Sequence, residues 1–466
     1  MKLYDTIAAV STPRGKGGVA LIRISGADAL EIAERVFFPH SGKKLSEYPV
    51  GRMVYGDIRM PDEKEDGVSL DDGMAVFFRA PRSFTGEDTV EITCHGGILI
   101  TESVLSATFA SGARPAEAGE FTRRAFVNGK LALSEAEALG TLLEAKTDAQ
   151  MRLSRSGMTG KLSASIDALS ASLRFVLASA YAKIDYPDED LADLSAEEMH
   201  EKLSDICTRA EKLASTYRTG RATMEGIDTV ICGPANAGKS SLYNLLVGRD
   251  AAIVTDIAGT TRDMLSETVA LGKVTLRLTD TAGLRETADK VEQIGIDRAR
   301  SAVDAAELVI AALDASKAPD EEAVSLLKTL SIRKESVIVL LNKSDIGLHS
   351  AWSAEVAPFP HILEASVKDG AEDAREALCT IAEEMFTDGS IDLYRDAVVA
   401  NARQYGALLR AVEALKRAME AIETGLDADL YCLDAEAALS AFGELDGKEV
   451  GEAIVSEIFS KFCVGK

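Results

Sequence analysis

The sequence lacks the features that would mark it as a membrane, secreted or zinc-binding protein. It has no run of about 18 apolar residues, so we expect no membrane-spanning helix. Its first residues, Met1–Ile7, do not form a signal peptide. The six cysteines form no C-x-x-C pair, which argues against a disulfide framework or a structural zinc site. We therefore expect a cytoplasmic protein that does not associate with a membrane.

Positive charge is also scarce. The chain has 51 Lys and Arg against 75 Asp and Glu, a net charge of −24. This balance argues against non-specific wrapping of nucleic acid but does not exclude a local basic patch. A length of 466 residues, of which 46% are hydrophobic, predicts a globular protein of about three domains.

A phosphate-binding loop is the clearest motif. Gly233–Ser240 reads G-x-x-x-x-G-K-S, between a β-branched run, Asp228–Cys232, and a helical run, Ser241–Gly248. Such a loop turns backbone N–H groups toward phosphates at a helix N-terminus. We expect Lys239 to reach the β- and γ-phosphates and Ser240 to bind Mg²⁺. A glycine-rich turn without function is the alternative, and the strand and helix around the loop argue against it.

Four further motifs follow in the order found in GTPases. They are Thr255–Asp263, with a threonine that can bind Mg²⁺; Asp280–Gly283, with a Walker-B aspartate; Asn342–Asp345, an N-K-x-D sequence that reads guanine; and Ala365–Lys368, in the place of a base-contacting S-A-K. Val367 replaces the usual alanine, which a backbone N–H contact to the base would tolerate. The residues predicted to bind GTP are Asn236, Ala237, Gly238, Lys239, Ser240, Ser241, Thr255, Asp256, Ile257, Ala258, Gly259, Thr260, Thr261, Asp280, Thr281, Ala282, Gly283, Asn342, Lys343, Ser344, Asp345, Ser366, Val367 and Lys368.

The residue after Asp280–Gly283 is Leu284, where Ras-like enzymes place the glutamine that orients the attacking water. A leucine cannot do this, so the catalytic group must come from elsewhere. The amide of Asn236, inside the phosphate loop, could help to coordinate a monovalent cation.

Outside this domain, the pattern predicts a mixed, strand-rich N-terminal region and helices on both sides of the nucleotide domain. Strands are expected at Asp5–Val10 and Val19–Ile24, a helix at Ala27–Phe37, and a capping box at Ser134–Glu137. Glycine-rich clusters in the first region are either solvated loops or binding segments. Apolar residues spaced by four and three predict one packed face on each flanking helix, so the nucleotide domain is expected to be an insertion. These residues are Leu162, Ile166, Leu169, Leu173 and Val176 before it, and Leu408, Val412, Leu415, Met419 and Ile422 after it.

The chain resembles the MnmE (TrmE) family of tRNA-modification GTPases over essentially its full length. The resemblance is carried by Asp5-Thr-Ile-Ala-Ala, Gly17-Gly18, Arg23-Ile-Ser-Gly26, Ser83-Phe-Thr-Gly-Glu-Asp88, His95-Gly-Gly97, Gly119-Glu-Phe-Thr122, Ile184-Asp-Tyr-Pro-Asp188, Thr255–Asp263 and the terminal Phe462-Cys-Val-Gly-Lys466. It implies an α/β and α protein: a Ras-like G domain (223–386) inserted into an all-helical domain (130–222 and 387–466), preceded by a mixed α/β folate-binding and dimerisation domain (1–129).

The resemblance also implies a reaction and partners. Family members form homodimers and act with the FAD protein MnmG (GidA), in a heterotetramer, to build a 5-carboxymethylaminomethyl or aminomethyl group on the wobble uridine of certain tRNAs. The carbon comes from 5,10-methylene- or 5-formyl-tetrahydrofolate, and hydrolysis of GTP requires K⁺ and Mg²⁺.

By position, the resemblance assigns roles to individual residues. Folate contacts are implied for Arg23, Glu91, Lys130 and Lys466; K⁺ contacts for Asn236, Thr255, Ile257 and Thr260; and Mg²⁺ contacts for Ser240 and Thr261. Glu292 matches the glutamate that positions the attacking water, although a solvated helix residue is the alternative, and Gln293 follows where arginine is common. Cys463 is either a nucleophile or a small packing residue. The rival function is a ribosome-assembly or regulatory GTPase without folate chemistry, and Asn342–Asp345 disfavours an ATPase.

Overall fold

The computed structural model describes residues 5–61, 69–186, 194–250, 266–279, 302–448 and 450–465. The chain divides into two compact units, the first made of residues 1–140 with 443–466 and the second of residues 141–442. The last 24 residues thus group with the N-terminal residues, whereas the sequence placed everything after residue 386 in the helical domain. The three predicted domain boundaries stay predictions.

The first unit is built on a seven-stranded sheet. Its order is β3-β4-β5-β6-β2-β1-β7, and its neighbours are antiparallel except for the parallel pair β1–β7. The helices of this unit include one near the C-terminus, Glu452–Ser460. The predicted strands near residues 5–24 and the helix near 27–37 are confirmed. The elements are β1 Ile7–Val10, β2 Val19–Ser25, α1 Ala29–Val36, β3 Phe37–Pro39, β4 Val54–Arg59, β5 Ser69–Phe78, β6 Thr89–His95, α2 Ile98–Ala110, β7 Arg114–Pro115, α3 Glu120–Val127 and α4 Leu133–Glu144.

A buried ion network fastens α3 to the sheet. The guanidinium of Arg124, only 1% exposed, lies 3.0 Å from carboxylates of Asp5, Glu87 and Glu120. Arg114 donates to the same Asp5 and Glu120 at 2.6 Å and 2.5 Å. Burying one charge unpaired is very costly, so two cations shared among three carboxylates keep this cluster satisfied. Glu120 of the Gly119–Thr122 motif therefore has a structural role.

The C-terminal segment closes against the same unit. Phe459 is buried with Leu133 and Ala136 of α4. Val464 forms a β-bridge with Ala118, and the Ser11 hydroxyl donates to the Gly465 carbonyl at 2.9 Å. These contacts place the end of the chain beside the end of β1.

The second unit begins with four helices. The predicted apolar stripe from Leu162 to Val176 is confirmed, because all five of its residues are buried along the second of these helices. The predicted capping box is wrong: Ser134 lies inside α4, and the Glu135 carboxylate instead accepts from the backbone N–H of Ala132 at 2.8 Å. These helices are α5 Asp148–Gly157, α6 Lys161–Asp185, α7 Ala196–Ser215 and α8 Tyr217–Met224.

One helical stretch of the described residues, Asp148–Asp185, is long and apolar enough to cross a membrane by length and composition. It contains α6, whose apolar stripe packs against α7. Core helices of soluble proteins pass the same test of length and mean hydropathy. The criterion applied to the sequence was a different one, an uninterrupted run of apolar residues.

A six-stranded sheet forms the nucleotide domain. Its order is β13-β12-β11-β8-β10-β9, with every neighbouring pair parallel except β9–β10. In such sheets ligands bind at the carboxyl ends of the strands. The phosphate loop follows β8 at that edge, and Asn342–Asp345 begins at the end of β12. The elements are β8 Ile227–Cys232, α9 Lys239–Asp250, β9 Ser266–Leu271, β10 Val274–Thr279, β11 Leu308–Asp314, α10 Glu321–Leu330, β12 Val337–Asn342, α11 Trp352–Val356, β13 His361–Glu364 and α12 Ala371–Phe386.

The chain then returns to the helices that it left before β8. The helices α13 Ala402–Glu423 and α14 Ala428–Asp446 follow the nucleotide domain. Helix α13 packs against α7, and Lys416 lies 2.6 Å from Glu211 across that contact. The predicted insertion of the G domain between helices that pack together is therefore confirmed.

Candidate functional site

The phosphate loop adopts a shape that only its glycines allow. Gly233 has φ 144°, and a Cβ there would lie 2.0 Å from the Ala312 carbonyl oxygen. Gly238 has φ 98°, and its Cβ would lie 2.1 Å from Nδ2 of Asn342. The loop therefore packs directly on the ends of β11 and β12, which fixes its backbone relative to the base-reading motif.

The groups expected to bind phosphates and cations cluster at this loop. The Lys239 ammonium donates to the carbonyls of Gly233 and Pro234 at 2.8 Å and 2.6 Å, which holds it over the loop. Ser240 is exposed in the first turn of α9, where the helix dipole also favours an anion. Asn236 is exposed on this loop and has a positive φ of 61°.

Asn342 joins the phosphate loop to the base-reading loops. Its side chain is buried, at 3% exposure. Nδ2 donates to the Ala237 carbonyl at 2.8 Å, and Oδ1 accepts from the backbone N–H of Val367 at 3.1 Å. One side chain thus sets the distance between the segment for phosphates and the segment for guanine.

The same contact refines what was expected of Val367. Its side chain is buried in the core of the nucleotide domain, which explains why a residue larger than alanine fits. Its backbone N–H donates to Asn342. In this structure that N–H therefore orders the base-reading loops rather than standing open for a base.

Two carboxylates complete the base-reading region. The hydrogen bond from Ser366 lowers the pKa of exposed Asp345, which keeps it an ionised acceptor suited to the ring N–H and amine of guanine. Asp314 lies 2.6 Å from the ammonium of Lys343, whose backbone is left-handed with φ 65°. Sequence reasoning missed Asp314, although a polar residue ending a fully apolar strand was a usable signal.

A larger set of predicted nucleotide and cation ligands lies outside the described residues. The nearest described position is Thr279, which pairs with Val230 of β8 at the carboxyl edge of the sheet. The strand that leads to Asp280 therefore ends beside the phosphate loop. The predicted residues outside the described ranges are Thr255, Asp256, Ile257, Ala258, Gly259, Thr260, Thr261, Asp280, Thr281, Ala282, Gly283, Glu292 and Lys466.

The first unit holds a second polar cluster on the face of the sheet that carries α3. Arg23 on β2 and Glu91 on β6 are cross-strand partners, with Nη2 and Oε1 2.7 Å apart. The Arg23 guanidinium also lies 5.4 Å from the ring centre of Phe84 and 5.7 Å from that of Phe121. A half-buried ion pair between aromatic rings suits a flat, polar ring with hydrogen-bonding edges.

The remaining folate candidate within the described residues, Lys130, and the candidate for a modification role, Cys463, lie in the same unit. Lys130 is exposed and donates to the Pro81 carbonyl at 3.0 Å. Pro81 lies in the same loop as Phe84. Cys463 is exposed, and its carbonyl accepts from the N–H of Gly119.

Comparison with known proteins places the chain. Residues 6–130 match the family described as GTP-binding protein TrmE N-terminus, and residues 133–463 match the MnmE helical domain. The tRNA modification GTPase MnmE of Lactobacillus gasseri is 38% identical over 99% of this chain and 98% of that protein. The same enzyme of Lactiplantibacillus plantarum is 39% identical over 99% of each. A GTP-binding protein of Sulfolobus solfataricus, solved with GDP, aligns with 46% of this chain and 67% of that one at 15% identity, with a TM-score of 0.26. On the full-length sequence matches, the chain belongs to the MnmE family of tRNA modification GTPases.

Proposed function

We propose that this protein hydrolyses GTP to drive the modification of wobble uridine in tRNA, in the cytoplasm and as a homodimer. The observation that carries the GTPase part is the position of Asn342, which binds the phosphate loop with one amide atom and the base-reading segment with the other. A guanine site and a phosphate site are thereby held at a fixed separation. Membership of the MnmE family supports the tRNA part.

Mg²⁺ and K⁺ are the proposed cations. Mg²⁺ would be held by the exposed hydroxyl of Ser240, with Thr261, and would supply charge stabilisation on the phosphates. K⁺ would be held by the Asn236 amide with Thr255, Ile257 and Thr260. Leu284 cannot orient water, so we assign that task to Glu292. The amide oxygen of Asn236, an exposed residue of the phosphate loop, suits a monovalent cation.

The proposed one-carbon donor is a tetrahydrofolate bound by Arg23, Glu91, Lys130 and Lys466. The acidic partner in this set, Glu91, can accept from the N–H edge of a pterin ring, and Arg23 holds that carboxylate in place. The lysines would contact the carboxylate tail or the polar ring. The FAD protein MnmG is the proposed partner in a heterotetramer, because the reaction needs redox chemistry that these side chains do not provide.

Steady-state hydrolysis of GTP in potassium or sodium chloride at equal ionic strength tests the cation assignment. The wild type should turn over faster in potassium. Asn236→Ala should lose that stimulation, and Asn244→Ala, an exposed amide on the outer part of α9, is the matched control that should keep it. Glu292→Ala should lose most turnover at nearly unchanged nucleotide affinity. Equal rates in the two salts would remove K⁺ from the mechanism, and wild-type turnover in Glu292→Ala would remove the glutamate.

Calorimetry with 5-formyl-tetrahydrofolate separates this proposal from a ribosome-assembly GTPase. The dimer should bind the folate, and Arg23→Gln should weaken binding because it breaks the pair with Glu91. Lys317→Gln, an exposed lysine of the nucleotide domain, should leave folate binding unchanged. No heat of binding with the intact protein would favour the rival function.

A further inference from the structure

A glycine-rich basic loop between β1 and β2 lies at the edge of the first unit. This loop, Thr12–Gly18, carries Arg14 and Lys16, and every residue from 13 to 19 is exposed. Within the described residues, neither cationic side chain has a hydrogen bond or an ion pair. Two cations on one short loop, without a partner among the described residues, stand out in a chain with a net charge of −24.

The base of this loop is rigidly placed although its tip is open. Ser11 N–H donates to the Leu21 carbonyl at 2.7 Å, and Gly17 N–H donates to the Gly96 carbonyl at 2.8 Å. A Cβ on Gly96 would lie 2.6 Å from the Gly17 carbonyl oxygen, so the two segments touch backbone to backbone. The loop therefore stands at a fixed place beside His95–Gly97 rather than hanging free.

Internal packing does not explain the glycines at the tip. A Cβ on Gly15 or Gly18 would meet no atom of the chain within 4 Å. Gly15 needs its positive φ of 151°, but Gly18 has no such need. A glycine loses more conformational entropy on folding than other residues do. One common reason for a glycine at such a cost is that a ligand approaches the backbone closely. The exposed backbone of the loop and the two cations together suit a large polyanion.

Two described acidic groups lie beside the loop, and each has a partner other than Arg14 or Lys16. Asp71 accepts from the His95 imidazole at 2.8 Å and from the His95 backbone N–H at 2.7 Å. The hydrogen bond to Asp71 raises the pKa of His95, and the two side chains pair with one another. The neighbouring Asp72 accepts from the hydroxyl of Tyr55 at 2.7 Å. In the described part of the chain, neither carboxylate binds Arg14 or Lys16, so both cations are available to an outside partner.

The loop also lies close to the proposed folate chemistry. Val19 and Arg23 are four residues apart on one face of β2, a separation of about 14 Å at roughly 3.4 Å per residue. At the other end of the loop, Ser11 holds the carbonyl of Gly465, two residues after the exposed Cys463. The loop is thus joined directly to the strand that carries Arg23 and to the segment that carries Cys463.

We propose that Thr12–Gly18 is a docking loop for the tRNA substrate, with Arg14 and Lys16 contacting backbone phosphates next to the base that is modified. This inference rests on the proposed tRNA-modifying function. Phosphate contacts position a nucleic acid without reading its sequence, so the loop would orient the tRNA and leave the choice of base to other groups.

The test measures binding of a tRNA transcript to the full-length protein over a series of potassium chloride concentrations. Each phosphate contact on single-stranded RNA contributes about 0.7 to the slope of log K against log salt. Arg14→Gln/Lys16→Gln should therefore lower that slope by about 1.4 and weaken binding about 25-fold at ~0.1 M salt. The matched control is Lys43→Gln/Lys44→Gln, which removes two exposed cations beyond β3 at the opposite edge of the sheet and should change neither quantity.

Two parallel measurements identify the cause of any loss of affinity for tRNA. Turnover of GTP should be unchanged in both double variants, because the loop lies outside the nucleotide domain. Affinity for monoglutamyl and polyglutamyl folates should also be unchanged. A loss confined to polyglutamyl folate would assign the loop to the folate tail and overturn the proposal. If Arg14→Gln/Lys16→Gln bound tRNA with the affinity and the salt slope of the wild type, the assignment of the loop alone would be overturned. No binding of tRNA by the wild type would instead remove the tRNA part of the proposed function, and the loop assignment with it.

Discussion

Replacement of Asn342 by alanine should separate the phosphate site from the guanine site. The wild-type amide satisfies two buried backbone groups, the carbonyl of Ala237 and the N–H of Val367. Both residues are buried, at 1% and 5% exposure, so water cannot easily replace the lost contacts. Leaving one buried polar group unsatisfied costs about 1–3 kcal/mol, so Asn342→Ala should cost about 2–6 kcal/mol.

This cost should be divided between the stability of the nucleotide domain and its affinity for nucleotide. If the loops keep their positions, the full free-energy cost lowers the stability of the domain. If the loops move apart, the cost appears as weaker binding of nucleotide. At 1.4 kcal/mol for each factor of ten, even 2 kcal/mol expressed in affinity is roughly a 30-fold weaker binding of GDP. Titration calorimetry with GDP and urea denaturation together measure the sum.

The matched control is Asn401→Ala. Asn401 caps α13, where its side chain accepts from the N–H of Gln404 at 2.9 Å. Loss of such a cap should cost about 0.5–2 kcal/mol of stability and leave GDP affinity unchanged. If Asn342→Ala instead bound GDP within twofold of wild type and unfolded at the same urea concentration, the inferred link between the loops would be wrong.

Three further predictions concern single residues. Asp345→Asn should weaken GTP and strengthen xanthosine triphosphate in a competition titration, and an unchanged preference would remove the base-reading assignment. Gly465→Ala places a Cβ 2.1 Å from the Val10 carbonyl at φ 100°, so it should impair tRNA modification but not GTP affinity, whereas Gly451→Ala, in open space, should do neither. Burial raises the pKa of Glu120, but hydrogen bonds from two arginines more than offset this and hold it below its usual value, so its stabilisation is lost as pH falls through the folded pKa. Glu120→Gln should therefore be less stable than wild type at pH 7, and the difference in Tm should shrink below about pH 4.3; a constant difference would contradict the ion network.

The sequence predicted those parts of the fold that depend on a local pattern or on a motif that requires one particular structural context. The stripe from Leu162 to Val176 needs a partner at helical spacing, and it is buried. The phosphate loop requires a strand before it and a helix after it, and both are present. The insertion of the nucleotide domain followed from the two stripes, because each needed a packing partner; in the structure both α6 and α13 pack against α7.

The features that were missed depend on residues distant in sequence. Asp314 reaches Lys343 only because β11 and β12 are neighbours in the sheet. The carboxylates around Arg124 come from positions 5, 87 and 120, and no spacing connects them. Ser134 was misassigned because a capping-box pattern does not fix the first residue of a helix, and Glu135 caps an earlier N–H instead.

The position of the C-terminus was also beyond a reading of the sequence. The glycine at 465 is required by the closeness of its Cβ position to the Val10 carbonyl, a contact between the two ends of the chain. Its motif carried a family resemblance but no indication of which unit it joins.

The nucleoside profile of tRNA from a strain that lacks this protein tests the central claim most directly. The account predicts loss of the 5-substituted wobble uridine, restored by the wild-type chain but not by Lys239→Ala, which removes the ammonium held over the phosphate loop. An unchanged wobble-uridine profile in the strain without the protein would contradict the account.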